Sequence, residues 1–353
     1  MMPISASRRH ARRLIFAAWV TSLVACGGRC GRTPPEPPAP GRSLLAKLPA
    51  ATQIALSLDF ARLRAGAIWP ALRTALGDAG RPEDRAMVEA FAARTGFDPF
   101  TQVDRVTVAF PENARDRDTF AVLLKARNLD ASRLIAYIRE RLAERGDDLV
   151  SGKHGPFLVW SSKQPPVLEG AFLSKEEAVI GAGTFPEEIM DRWAAPRASP
   201  AAPAAFVAPL TELIEALGLE HEIWAAAVVP ATTRARLATE PRFHAAASVA
   251  RLGLAADLDP GLTATVLADL GSEEDATALA REAQEATQRA KADPKVLLLG
   301  LSSFLEHLTI GSSGHRFTLS LRLDPTATRE LLGRVAAWTA FATPRPTPPP
   351  GFP

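Results

Sequence analysis

The chain has 353 residues, 47% of them hydrophobic and 23% charged, a balance that supports a sizeable core and excludes wholesale disorder. Lys+Arg number 41 against 39 Asp+Glu, but residues 1–25 hold Arg8, Arg9, Arg12 and Arg13 and no acid, so the remainder has 37 against 39, a net −2. That leaves no global basic face for nucleic acid, and two cysteines make no disulfide framework.

The N-terminus is read first. Met1–Arg13 is basic and acid-free, and the 12-residue apolar run Leu14–Ala25 follows it. As a helix that run spans about 18 Å, short of the roughly 20 residues that a bilayer core requires. An export signal is therefore expected rather than a permanent span, with the arginines holding its start in the cytoplasm during insertion.

The run closes as Leu23-Val24-Ala25-Cys26. This resembles the lipobox of bacterial lipoproteins, in which an aliphatic residue and two small ones precede an obligatory cysteine. The resemblance implies that Cys26 receives a diacylglycerol, that a peptidase cuts before it, and that its new amine is acylated. Membrane lipid, gripped through Cys26, would then be the first partner. Several acyl chains on one residue give stable residence where one alone is marginal. Gly27 stands where Asp often marks retention on the inner membrane, so the resemblance implies the cell envelope, outer membrane rather than inner. Ser7-Arg8-Arg9 partly resembles a twin-arginine signal, but His10-Ala11-Arg12-Arg13 replaces the hydrophobic residues expected next. Cys30 would remain as a free thiol or an intermolecular crosslink, and its spacing from Cys26 is not that of a redox pair.

Residues 26–43 read as a tether, with prolines at 34, 35, 37, 38 and 40 favouring polyproline II at about 3.1 Å per residue. A second soft segment, Ala194–Pro209, carries prolines 196, 200, 203 and 209. It divides the body into 44–195 and 206–342 around a linker at 196–205. Residues 343–353 form a proline-rich tail of disordered character.

In the first stretch, Ile54, Leu56 and Leu58 alternate and predict a strand over 53–59. Helices follow at 61–78 and 82–94, then strands at 105–110 and 119–127 around the charged turn Pro111–Asp118. Asp130 suits an N-cap, followed by a stripe of Leu134, Ile135, Ile138 and Leu142. Strands near 157–161, 170–174 and 177–182 come next, and Thr184-Phe-Pro-Glu187 has the capping-box pattern at the start of a helix. The second stretch predicts a strand at 223–229, a helix at 231–240, strands at 247–257 and 262–270, and a helix capped by Ser272 with Glu273 and Glu274 in its first turn. Pro294 interrupts that helix, the apolar segment Val296–Leu305 continues, and a hairpin at 307–311 and 316–323 precedes a helix opened by Asp324-Pro325.

The two stretches share an order of strand, helix, two strands, helix, further strands, helix. We expect an α+β fold: largely antiparallel sheet with helices on one face, built by internal duplication. Two local pairings support this, 120–130 beside 317–324 and 105–144 beside 249–291, in different registers. One continuous sheet and two separate domains both fit.

Chemical motifs are scarce. His154, His221, His244, His307 and His315 form no His-Glu-x-x-His pattern. Gly152-Lys153-His154-Gly155 lacks the earlier glycine and the following Ser or Thr of a phosphate loop, and Gly181-Ala-Gly183 lacks the third glycine of a dinucleotide turn. Asp257 and Asp259 precede Pro260-Gly261 and fit a turn better than a calcium loop, and Glu112, Asp116 and Asp118 suit a solvated loop. Ser312, Ser313 and His315 lack a nucleophile elbow. Trp69, Trp160, Trp193, Trp224 and Trp338 read as packing anchors. No catalytic residue, metal or cofactor is expected. The functional expectation is a membrane-tethered, non-enzymatic binding or scaffolding body for an unknown envelope protein, lipid or glycan. The alternatives are a small-molecule or lipid carrier and an enzyme with a dispersed site.

Overall fold

Alternating and short apolar runs with tight turns direct this chain into hairpins. The computed structural model describes residues 45–73, 82–111, 119–194, 208–239 and 245–342. The export signal, the tether, the 196–205 linker, the tail, His244 and the acidic turn at 112–118 lie outside the described residues.

Among the described residues twelve strands form one antiparallel sheet. They are β1 (Ile54–Asp59), β2 (Val103–Phe110), β3 (Phe120–Ala126), β4 (Leu149–His154), β5 (Phe157–Ser162), β6 (Glu169–Phe172), β7 (Glu177–Ala182), β8 (Ile223–Val228), β9 (Arg251–Asp257), β10 (Thr263–Asp269), β11 (Leu308–Ser313) and β12 (Arg316–Arg322). Their spatial order is β11-β12-β10-β9-β8-β1-β2-β3-β7-β6-β5-β4. The fold is mixed α+β, as expected. The choice between one sheet and two is decided at the centre, where β1 pairs with β8 from Ile54 opposite Ala227 to Leu58 opposite Ile223.

The helices used below are α1 (Phe60–Ala65), α2 (Pro82–Thr95), α3 (Pro99–Gln102), α4 (Ala131–Ala143), α5 (Phe185–Ala194), α6 (Ala208–Leu217), α7 (Ala231–Ala238), α8 (Glu273–Ala292), α9 (Pro294–Leu298), α10 (Ser302–Leu305) and α11 (Pro325–Ala342). Side-chain caps start several of them. Asp130 accepts from the Arg133 amide at 3.1 Å, Ser272 from Asp275 at 3.1 Å, and Asp324 from both Thr326 and Ala327 at 2.8 Å. At α5 the residue that meets Thr184 is Glu188, 3.2 Å from its hydroxyl, one turn on rather than at Glu187.

Helices cover both faces of the central strands, not the single face expected. Successive strand side chains point to opposite sides, and alternate residues here join different clusters. Ala55, Ala109, Ala121, Val179, Trp224, Ala226 and Ala255 pack under Phe185, Ile189 and Met190 of α5 and Leu210, Leu213, Ile214 and Leu217 of α6. The intervening Leu58, Val106, Val108, Ile223 and Ala256 pack with Leu134 of α4 and Phe91 of α2. Toward the β12 side, Ala268 and Phe317 meet Ala276 and Ala280 of α8. Strands apolar on both sides must be covered on both sides; Leu56 beside Ala55 and Ala225 beside Trp224 are the sequence trace of that demand.

The first of these faces is floored by small residues, and the bulk comes from the helices above it. A Cβ on Gly253 would lie 2.6 Å from Leu217 Cδ1, and one on Gly181 would lie 2.1 Å from the Phe120 carbonyl oxygen and 2.9 Å from Pro186 Cγ. These glycines let α6 and α5 sit close to the sheet. Gly181→Ala is therefore expected to cost about 1–3 kcal/mol by overpacking, measured as a lower urea midpoint with an unchanged m-value.

Several elements went unforeseen, among them the short α3, β4 and α6. β4 carries only Leu149 and Val150 as large apolar residues and exists through its hairpin with β5, Lys153 opposite Leu158 and His154 opposite Phe157. α6 starts at Ala208, within a stretch that its prolines mark as linker.

Candidate functional site

A group of ionisable side chains sits where the chain leaves α6 and enters β8. Gly218 turns the chain at φ +83°, and His221 follows at the mouth of the strand. Its Nδ1 lies 2.6 Å from Asp257 Oδ2 at the end of β9, and its Nε2 lies 2.9 Å from the carbonyl oxygen of Leu217, the last residue of α6. Both partners are acceptors, so the arrangement favours the imidazolium form, in which both ring nitrogens donate. The bond to Asp257 raises His221 above the ordinary histidine range, against burial, with the Leu217 carbonyl adding to the rise. A cation at the end of α6 also complements the negative end of the helix dipole.

The neighbouring carboxylates diverge. Burial pushes Asp257 upward, but its bonds from His221 and the Glu222 amide bring it below the usual carboxylate range. Glu222 is buried, and that burial raises it, offset by the Leu258 amide it accepts from and reinforced by Asp257 and Asp259. Asp59 at the end of β1 accepts from the Arg62 amide at 3.0 Å and pairs with Arg105 on β2. With both nitrogens donating, His221 has no lone pair to serve as a general base. The group acts as a clasp joining α6, β8 and β9.

A second cluster surrounds His154 on β4. Nε2 lies 2.7 Å from Asp191 and Nδ1 lies 3.9 Å from Glu187, both on α5. Glu169 on β6 is raised by burial and then by Glu187, with His154 acting the other way. His154 is thus brought among carboxylates. His307 lies close enough to Asp324 to lower its carboxyl modestly, after the Ala327 and Thr326 amides, and His315 stands exposed in the β11–β12 turn. Gly152-Lys153-His154-Gly155 forms the end of the β4–β5 hairpin, with Gly155 at φ +54°. Among the described residues no group of three or more His, Cys, Asp or Glu could hold a metal ion.

A third polar feature crosses three strands on the face that α6 covers. Asp269 of β10 is buried and receives Arg316 of β12 at 2.7 Å and Arg251 of β9 at 3.2 Å; Arg251 also reaches Glu212 of α6 at 2.7 Å. Two guanidinium groups on one buried carboxylate lock the registers of β9, β10 and β12 on this side of the sheet. None of these carboxylate partners is visible as a sequence motif, because the pairs lie 18 or more positions apart and only strand register and helix packing bring them together.

Cys26 lies outside the described residues, as does the whole Leu23–Cys26 motif. No helix among the described residues is long and apolar enough to cross a membrane.

The clasp makes stability depend on pH. His221 binds its proton more tightly when folded, so its contribution is complete below about pH 6.5, the unfolded value, and is lost as pH rises through the higher folded value. Asp257 titrates lower when folded, so its share disappears as pH falls through that depressed value. The melting temperature of the wild type should exceed that of His221→Gln most between these two titrations. The difference should shrink above pH 7; a constant difference from pH 5 to 9 would contradict the clasp.

No family model matches the chain, and no curated protein matches it. Among solved structures, crystal form III of TP0453 is similar with a TM-score of 0.42 and 12% identity, over 83% of this chain and 97% of that one. Crystal form I of TP0453 gives 0.39 and 13%, over 83% and 96%.

Proposed function

We propose that this chain is a lipid-anchored envelope protein whose α+β body binds or scaffolds another envelope component rather than catalysing a reaction. The observation that carries this reading is the order of charge, short apolar run and small residues closing at Leu23-Val24-Ala25-Cys26. Acylated Cys26 would hold the body to the envelope, at the outer membrane rather than the inner. The tether ahead of Leu45 would set its distance from the lipid. The partner would be an envelope protein, lipid or glycan met by the broad sheet and its covering helices. The commitment of both His221 nitrogens to intrachain acceptors supports a structural use of that group.

The body would be an internally duplicated unit. Outward from the centre, one side runs β1-β2-β3-β7-β6-β5-β4 and the other β8-β9-β10-β12-β11, so the first five places correspond and the first side carries two further strands. Each side inserts a long helix, α4 or α8, after its third strand. This order favours the pairing of 105–144 with 249–291 over that of 120–130 with 317–324. The match weakens at the last helices: α5 packs with the cluster that includes Trp224, whereas Leu332 of α11 packs with Leu63, Phe304 and Leu323.

The intact mass of protein extracted from membranes tests the anchor. The mature chain is expected to begin at Cys26 carrying acyl chains, and Cys26→Ser is expected to block processing and release the body from the membrane on alkaline washing. A mature terminus elsewhere, or a serine variant processed and attached as before, would overturn the reading. In-cell crosslinking of the anchored protein then tests the binding role through a reproducible adduct with one envelope component.

A further inference from the structure

Three consecutive leucines project from the body where α8 gives way to α9 and α10. Leu297 is 55% exposed, Leu298 88% and Leu299 39%. Single exposed leucines are commonplace; three in a row at one tip form a patch that normally signals a contact.

The tip is held in place. Asp293 ends α8 and caps α9 by accepting from the Lys295 amide at 2.7 Å, with Pro294 at the helix start. The backbone of the tip is bonded internally: Leu299 donates to Lys295 at 3.0 Å, Gly300 to Leu297 at 2.9 Å and Leu301 to Val296 at 2.9 Å. Gly300 turns the chain at φ +63°, and a Cβ there would lie 2.0 Å from Arg334 Nη1. Arg334 on α11 donates to the carbonyls of Leu299 and Gly300 and lies 5.2 Å over the Phe304 ring. Leu301 and Phe304 pack inward. The same turn thus buries its later residues and presents its earlier leucines to solvent on a fixed base.

Near the tip four basic side chains stand against three acidic ones. Lys291 lies in the last turn of α8 and Lys295 in α9, with Arg289 and Arg334 close in sequence or contact. Opposing them are Asp293, which caps α9, Glu285, 3.8 Å from Arg289, and Glu330, 3.7 Å from Arg334. An apolar tip flanked by lysines fits the interface of an anionic bilayer, where leucine enters the acyl boundary and lysine meets the headgroups.

We propose that Leu297–Leu299 is a membrane-docking tip that inserts into the surface of an anionic bilayer. The inference rests on the lipid-anchored reading only for bringing that surface within reach: the 18 residues between Cys26 and Leu45 can extend to roughly 55 Å as polyproline II. The anchor and the tip together give two attachments, which fix the orientation of the body as well as its location.

The test uses the full chain with Cys26→Ser and Cys30→Ser, so that the tip is read without acylation. A polarity-sensitive fluorophore is placed at Leu298→Cys and, as a control, at Ser313→Cys. Vesicles of phosphatidylglycerol and phosphatidylcholine carry a nitroxide on the acyl chain. The probe at 298 is expected to shift to the blue and to be quenched by the nitroxide, while the probe at 313 stays aqueous. The Lys291→Gln and Lys295→Gln variants should each weaken the response about fivefold, the equivalent of roughly 1 kcal/mol per basic residue at an anionic surface. In an otherwise cysteine-free chain with a probe at Ser302→Cys, Leu297, Leu298 and Leu299 all changed to Ser should abolish the response while leaving the melting temperature unchanged. Three outcomes overturn the proposal: a probe at 298 that remains aqueous on bound vesicles, one that shifts without vesicles as protein concentration rises, or a triple variant that responds as before. The intact-mass result at Cys26 is independent of all three.

Discussion

Hydrogen bonding between β1 and β8 is the contact on which the rest of the body depends. Without it the strands would fall into two sheets, each ending in an unpaired, apolar edge open to aggregation. With it, Ser57 comes opposite Trp224 and Leu58 opposite Ile223, and apolar residues on both sides of the seam face helices. The buried hydroxyl of Ser57 meets Thr107 at 3.0 Å across the next pair, so the one polar side chain that β1 sets beneath the helices mid-strand is satisfied there.

Polar groups pin the ends of the same strands. The His221 clasp joins the entrance of β8 to the exit of β9 and to the last carbonyl of α6. On the far side Asp269 gathers arginines from β9 and β12. Across the first stretch, Lys47 bonds Glu177 of β7 at 2.9 Å and lies 3.7 Å over the ring of Trp193 on α5, tying the segment before β1 to the other flank. These links fix registers that alanine-rich strands, with little bulk to interlock, would otherwise specify weakly.

Much of the strand pattern was legible because alternation and turn chemistry are local. Ile54, Leu56 and Leu58 announce β1, and Asp130, Ser272 and Asp324 announce helix starts that the hydrogen bonds confirm. β4 was hidden because an edge strand needs few apolar residues, and α6 because prolines at 200, 203 and 209 mask a helix whose Leu210, Leu213, Ile214 and Leu217 are buried. Coverage of both faces was missed because alanine reads as neutral: Ala55, Ala109 and Ala226 look like the polar side of a strand and are instead the floor under α5 and α6. The ionic clusters could not be read at all, since they depend on register. The leucines at 297–299 were visible only as apolar sequence, and their exposure follows from Gly300 and Arg334.

Native-state hydrogen exchange measured at individual amides tests the seam most directly. The account predicts that the seam amides of β1 and β8, such as those of Ser57 and Trp224, exchange only through global opening, with the same free energy as the cores of β2 and β9. Amides of β1 and β8 that open readily while the two flanks stay protected and exchange independently would contradict a body built around this pairing.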